Sequence, residues 1–353
     1  QGQIWVVRED GRRYRKKIYG PTRREVQKKL RELRREQELG SFLPIEEETL
    51  RDYLRRWHID PNLRPKTVHS RKVNLGRIIP HIGNLKVKDI KPSHIQGLYE
   101  SLSKRLSKSS VYQTHAILRK ALKDALKEGI ITSNPMDRLV STPKVERKEM
   151  DFLSQEEVAN LFSLEDRWTP LWKVLVGTGI RIGEGLGLAW SSLDFETATL
   201  AIRRSLQRVP GEGLVFQMPK TRKSSRTLIM PLIVVAALKE HRSRQLEQRL
   251  MLGPDWNELD LVFPNEWGEP MEPTRVNRAL DKALLSVGIE RHIRVHDLRH
   301  TAATLALRED IPVKVVQEML GHSSFATTMD IYSHVDAGMQ KTAAEHMNVA
   351  LGG

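Results

Sequence analysis

Gly177-Thr178-Gly179-Ile180-Arg181-Ile182-Gly183-Glu184 is the stretch on which the reading of this chain turns. Its glycines let the backbone turn tightly, and the residues after the turn begin a helix. Arg181 and Glu184 then stand three apart on one face of that helix start. A guanidinium held there can grip two oxygens of one phosphate, with the carboxylate buttressing it. Alone, the segment reads as an ordinary turn into a helix, so its meaning depends on what else the chain supplies.

Three further segments come after it. His296-Asp297-Leu298-Arg299-His300 sets an imidazole and a guanidinium three apart, able to converge on one anion. Read alone, a polar helix face with a capping Asp is the commoner explanation. Leu320-Gly321-His322 offers a second imidazole, and Asp330-Ile331-Tyr332-Ser333-His334 offers a phenol. A lone His after Gly is ordinarily structural, and a Tyr near a chain end is ordinarily a half-buried core residue. All four segments lie beyond Ser154-Gln155-Glu156-Glu157, a capping box that opens a large domain. That domain reads as helical except over 199–230. There Leu200–Arg203, Val215–Met218 and Thr227–Met230 read as three short strands between Gly/Pro and Lys/Ser turns.

Upstream, Ser141-Thr142-Pro143-Lys144-Val145-Glu146-Arg147-Lys148 has the polar, Pro-bearing character of a hinge. Residues 49–140 before it read as all-helical. The clearest helix begins near Ser109-Ser110 and carries Val111, Thr114, Ile117, Leu118, Ala121, Leu122 and Ala125 at spacings of three and four, with Gly129 as its stop. The junctions between these helices hold Lys66, Lys104, Arg105 and Lys108. Lys and Ser at helix starts can meet phosphates, although N-capping explains any single Ser there.

Residues 41–48 read as a linker. Ahead of it, residues 3–9 read as a strand, Asp10-Gly11 as a hairpin turn and Arg12 to Tyr19 as the return strand. Thr22-Arg23-Arg24-Glu25 is a capping box that opens a helix to about Leu39, with Val26, Leu30 and Leu33 as its apolar stripe. The expected architecture is multidomain and mainly α with small β-sheets. It comprises a β-sheet plus helix module at 1–40, a helical domain at 46–141 and a mixed, mainly-α domain at 149–353.

The 353 residues suffice for two or three such domains, and 39% hydrophobic against 29% charged residues is a globular balance. Formal net charge is +14, which favours a polyanionic partner. Residues 1–40 hold thirteen Lys and Arg against six Asp and Glu, half of that excess, and read as a basic arm for nucleic acid. The absence of Cys excludes disulfides, zinc–thiolate sites and thiol nucleophiles. No metal is expected, since neither clustered carboxylates nor zinc-type His spacing occurs. No apolar stretch is long enough for a bilayer, and the first residues lack an apolar signal core and a Met, the reading of a trimmed end. A cytosolic protein with access to DNA and without a membrane partner is expected.

Taken together, two Arg, two His and a Tyr in this order resemble the active site of the tyrosine recombinase (phage integrase) family. That pattern is an Arg near a Thr-Gly turn, then His-x-x-Arg, then Leu-Gly-His, then a Tyr some ten residues later. Here the matching residues are Arg181, His296 with Arg299, His322 and Tyr332, and Glu184 fits the acidic position after the first Arg. The family also places a Lys in the turn after the second strand of a small sheet. Lys220 in Pro219-Lys220-Thr221 matches it, with Lys223 as the alternative. Ile182 departs from the polar or basic residue usual beside the first Arg.

The resemblance covers nearly the whole chain, and it implies a catalytic domain of tyrosine recombinase type, a core-binding (SAM-like) helical domain and an arm-binding first module. It also implies the chemistry. Tyr332 attacks a phosphodiester, Arg181 and Arg299 clamp the non-bridging oxygens and His322 donates a further hydrogen bond. His296 takes the phenol proton and Lys220 protonates the leaving 5′-oxygen, giving a 3′-phosphotyrosyl enzyme. No cofactor is implied. The implied partners are double-stranded DNA at core-type and arm-type sites, a homotetramer in the synaptic complex and a DNA-bending accessory protein. The element served would be a phage or other mobile element. Arg12, Arg13, Arg15, Lys16 and Lys17 on the return strand are the expected arm contacts, and Lys66, Lys104, Arg105 and Lys108 the expected core contacts. The C-terminal stretch 335–350 could dock in cis or on a neighbouring protomer. A type IB topoisomerase-like relaxing enzyme and a catalytically silent DNA-binding regulator are the alternative readings.

Overall fold

The computed structural model describes residues 2–7, 13–22, 24–27, 29–31, 48–59, 63–138, 141–142, 144, 151–218, 225–321, 325, 329, 347–348 and 351, with backbone alone at 2–7 and 13–16. The chain divides into two compact units, Gln1–Arg147 and Lys148–Gly353. Among the described residues no helix is long and apolar enough to cross a membrane.

In the first unit, β1 (Gly2–Val7) pairs antiparallel with β2 (Arg13–Ile18), from Gly2 opposite Ile18 to Val7 opposite Arg13. The next helix, α1 (residues 24–27 and 29–31), is capped as expected. The Glu25 amide donates to Thr22 Oγ1 at 3.3 Å, and Val26 is buried. The expected stop at Gly40 and the stripe residue Leu33 lie outside the described residues.

Four helices then enclose one core: α2 (Leu50–Trp57), α3 (Pro65–Ile82), α4 (Pro92–Ser103) and α5 (Lys108–Lys127). On α5 the buried residues are Val111, Thr114, His115, Leu118, Ala121, Leu122 and Ala125, the expected stripe except that His115 replaces Ile117. His115 holds that place through its partner, since Tyr99 Oη lies 2.7 Å from its Nδ1. Gly129, at a φ of +76°, supplies the left-handed turn past the end of the helix. Ser107 proves to be a cap, accepting from the Ser110 amide at 3.3 Å.

In the second unit the capping box at Ser154 forms in both directions, with Ser154 N to Glu157 Oε2 at 2.8 Å and Glu157 N to Ser154 Oγ at 3.2 Å. It opens α6 (Gln155–Phe162), succeeded by α7 (Thr169–Thr178) and the short α8 (Ile182–Leu186). Helices α9 (Leu232–Leu252), α10 (Pro273–Ser286), α11 (Asp297–Arg308) and α12 (Val313–Leu320) complete it. Leu171, Trp172, Val174 and Leu175 of α7 are at most 2% exposed and share a core with Val234, Leu238 and Leu298. Burial of that completeness stabilises by about 1.5–3 kcal/mol per large side chain, so α7 is a fixed post for the turn at its C-terminal end.

The β region differs from the three strands expected. It contains β3 (Leu193–Asp194), β4 (Thr199–Ile202), β5 (Ser205–Val209), β6 (Gly213–Gln217) and β7 (Arg226–Ile229). They form one sheet in the order β3-β4-β7 and a separate β5-β6 hairpin. The two overlooked strands carry weak signals: β3 has two residues, and Ser205-Leu206-Gln207-Arg208-Val209 is largely polar. The turn that closes the hairpin depends on Gly211 and Gly213, both at positive φ.

Candidate active site

Two glycine-capped helix ends, the short α8, the first turn of α11 and the start of β7 build the site. Helix α7 stops at Gly179, whose φ of +63° is the left-handed cap that a β-carbon would resist. A Cβ there would also lie 2.7 Å from Leu320 Cδ2. The chain leaves the cap extended at Arg181, which starts α8 and receives from Glu184 the expected bracing. The Arg181 amide donates to Glu184 Oε2 at 2.9 Å, and Nη1 donates to Oε1 at 3.0 Å. A matching left-handed glycine, Gly321 at +64°, ends α12.

The end of α12 is where the arginines meet. A helix C-terminus leaves its last carbonyls without intrahelical donors and carries partial negative charge. Three consecutive carbonyls here receive three different guanidiniums. Met319 O accepts from Arg226 Nε at 3.1 Å, Leu320 O from Arg299 Nη2 at 2.6 Å and Gly321 O from Arg181 Nη2 at 3.4 Å. Arg299 also donates from Nη1 to Gly179 O at 2.7 Å, so it bridges the two glycine-capped helix ends. Arg226 in turn grips Glu184 with both terminal nitrogens, at 3.3 and 3.0 Å.

Charge in this cluster is unbalanced. Glu184 is buried and serves both Arg181 and Arg226. Burial pushes its carboxyl up, but the hydrogen bonds and charge of Arg226, and then of Arg181, outweigh that and hold it below the usual carboxylate range. Arg299 is 3% exposed, and among the described residues no carboxylate lies within ion-pair distance of it. Burial, with Arg181 and Arg226 adding like charge, brings its pKa down to about 9. Three guanidiniums against one carboxylate, one of them sealed among neutral carbonyls, is an arrangement short of an anion.

His296 precedes α11 and is exposed. The protein around its ring, then the charge of Arg299, hold its pKa below the ordinary imidazole value, against the pull of Asp297. His300, one turn on, meets the His296 ring edge-on at 5.1 Å between centroids. Burial, then the neighbouring His296, brings its pKa down to about 4, and its buried Nδ1 has no hydrogen-bond partner among the described residues. Asp297 is buried and holds Arg294 through three hydrogen bonds, to its amide, Nε and Nη2.

Of the expected catalytic residues, Arg181, Glu184 and Arg299 thus come together at the end of α12, and His296 lies close enough to Arg299 and Arg181 to feel both charges. Lys220, Lys223, His322 and Tyr332 lie outside the described residues, as does Arg12. His322 comes directly after Gly321. Arg13, Arg15 and Lys16 are on β2, where the backbone alone is described, and Lys17 is exposed at its end. Lys66, in the first turn of α3, Lys104 and Arg105 after α4, and Lys108 at the start of α5 are all exposed. Arg226 and His300 are the cluster members that the sequence pattern did not single out. A lone Arg after Ser224-Ser225 resembles any surface cation, and only the pairing of Arg226 with Ile202 carries it to the buried carboxylate.

Comparisons with known proteins point to one family. The phage integrase family profile matches residues 145–339, and that of the phage integrase N-terminal SAM-like domain matches residues 49–103. A tyrosine recombinase XerC-like protein of Caldanaerobacter subterraneus subsp. tengcongensis is 29% identical, over 96% of this chain and 93% of its own. Tyrosine recombinase XerC of Oceanobacillus iheyensis is 30% identical, over 73% of this chain and 79% of its own. Among solved structures, the Tn1549 transposon integrase in complex with transposon right end DNA superposes with a TM-score of 0.71 at 20% identity, over 86% of this chain and 99% of that one. A lambda integrase dimer bound to a core site gives 0.59 at 18% identity, over 82% and 95%.

Proposed function

The chain belongs to the phage integrase family of tyrosine recombinases, enzymes that break and rejoin DNA strands at specific sites, and from that premise we propose how its residues divide the work. Tyr332 is the nucleophile. Its oxygen forms a bond to the backbone phosphorus as the bond to the 5′-oxygen breaks. The phenol proton passes to His296, and Lys220 gives a proton to the departing 5′-oxygen. The phosphotyrosyl bond keeps the energy of the phosphodiester, so the 5′-hydroxyl of another strand can reverse the step without ATP.

The observation that carries this reading is Arg299, a buried guanidinium whose acceptors are two neutral carbonyls. A buried cation without a counter-charge costs several kcal/mol, and a site that keeps such a cost is built to receive negative charge. In the pentacovalent transition state that charge gathers on the non-bridging oxygens, where Arg181 and Arg299 stabilise it and His322 adds a hydrogen bond. The low pKa of His296 fits a base that is neutral when the substrate arrives.

The finer parts of the proposal concern the DNA. Residues 46–141 hold the core-type site through Lys66, Lys104, Arg105 and Lys108. Residues 1–40 hold arm-type DNA through Arg12, Arg13, Arg15, Lys16 and Lys17, and residues 149–353 do the chemistry. Four protomers act together in a synaptic complex, with a DNA-bending protein as accessory, in the bacterial cytoplasm. The natural role is integration and excision of a mobile element. Support for that role comes from the similar transposon integrase, which was solved with transposon-end DNA.

The test is Tyr332→Phe. Wild-type protein is first used to recover a nicked duplex from a randomised pool by covalent capture. On that duplex the variant is expected to bind as tightly as wild type and to form no covalent adduct. Adducts that persist in the variant would assign the attack to another residue.

A further inference from the structure

Arg226 is the first residue of β7, and its three guanidinium nitrogens are all engaged: Nε with Met319 O, and the two terminal nitrogens with the two oxygens of Glu184. We propose that Arg226 is a positioning residue for strand cleavage, locking the Glu184 carboxylate to the end of α12 so that Arg181 and the turn at Gly321 are preset for the phosphate. This rests on the recombinase reading above and adds a part to it.

Arg226 is anchored from behind, because β7 pairs with β4 from Arg226 opposite Ile202 to Ile229 opposite Thr199. Its ion pair is also sheltered. The side chains of Arg226 and Glu184 are 9% and 8% exposed, so water does not screen the pair and its planar fork geometry is enforced. The fit is close on the far side as well. A β-carbon at Gly321 would lie 3.0 Å from Arg226 Cζ, so the left-handed turn at Gly321 is laid against this guanidinium. Finally, Glu184 has two oxygens and two cationic partners. With Arg226 present, the Arg181 guanidinium reaches Glu184 through Nη1 alone, beside the Arg181 amide on Oε2, and its Nη2 reaches Gly321 O. Without Arg226 both carboxylate oxygens lose a competing donor, and the Arg181 guanidinium would close on them as a bidentate pair and turn from the substrate. The charge of Arg226 is already met by Glu184, unlike that of Arg299, so Arg226 acts through its neighbours rather than on the phosphate.

The experiment measures two quantities on the captured duplex: the dissociation constant, and the single-turnover rate of covalent adduct formation at saturating DNA per folded molecule. Arg226→Gln is expected to leave the dissociation constant unchanged and to slow adduct formation about 10²-fold, the scale of a misplaced catalytic group. Arg226→Lys keeps the charge without the fork and should recover part of the rate. Glu184→Gln should be slow as well, and the double variant no slower than the slower single, because the two residues act as one unit. If Arg226→Gln is unfolded at the assay temperature, Arg226→Lys decides, with a slower rate at an unchanged dissociation constant expected. A wild-type rate in these variants, losses that multiply independently, or a rate loss matched by weaker binding would overturn the assignment. Failure of the wild-type protein to form any adduct at Tyr332 would instead overturn the recombinase reading.

Discussion

The basic residues at the helix junctions of the first unit and the arginines at the end of α12 carry the same charge in opposite settings. Lys66, Lys104 and Arg105 are exposed, their side chains in water and screened by salt. Arg299 is buried and the Arg226 side chain is 9% exposed, with acceptors at 2.6–3.3 Å from their nitrogens. An exposed cation costs little to keep and contributes affinity through counterion release, wherever along the backbone it lands. A buried one destabilises the fold unless it is held, and contributes where charge develops during reaction. The contrast separates binding from chemistry, and each half can be broken independently.

The largest effect is expected at Arg299. Lysine cannot reach Gly179 O and Leu320 O together, so Arg299→Lys should lower single-turnover adduct formation about 10³-fold, with DNA still bound in a mobility shift. Normal cleavage by that variant would remove the distinction between the two kinds of cation. The opposite test replaces Lys66, Lys104 and Arg105 together by Gln. Affinity should fall and the log–log salt slope flatten by about 0.9 for each phosphate left without its cation, while the rate at saturating DNA stays the same. A slower rate at saturation would place these residues in the chemistry.

A smaller and graded effect is expected from pH. With the pKa of His296 lowered, its imidazole is mostly neutral at and above the ordinary value of 6.5, as the proposed base must be. The acid limb of kcat/KM for adduct formation, which reports the free enzyme, should therefore lie below pH 6.5 and fall as pH drops. His300 gives a parallel signal in stability. Its folded-state pKa of about 4 lies below its ordinary 6.5, so its contribution is complete above pH 6.5 and is lost as pH falls toward 4. His300→Phe should reduce that acid-side loss in Tm; an unchanged Tm profile would assign the acid sensitivity elsewhere. The smallest effect on core cleavage is expected from deleting residues 1–40, which should weaken arm-type DNA binding, flatten its salt dependence and spare the cleavage rate.

Arg181, His296 and Arg299 were legible in the sequence because the distance between chemically matched residues is local, within a few positions of a turn or a helix start. The α5 stripe was legible for the same reason, since a helix writes its buried face at spacings of three and four. Arg226 was not, because its meaning lies in a bond to Glu184 across 42 positions and in a strand order that places β7 beside β4 rather than β6. Nor was the clamp on Met319, Leu320 and Gly321, since its acceptors are carbonyls that every residue type carries.

The identity of the attacking atom is the point on which the recombinase chemistry stands or falls. Wild-type protein trapped on the captured nicked duplex, denatured, digested with protease and nuclease and read by mass spectrometry should carry its nucleotide remnant on Tyr332, joined to a 3′-phosphate. A remnant on any other residue, attachment through a 5′-phosphate, or no remnant where strand cutting has occurred would contradict it.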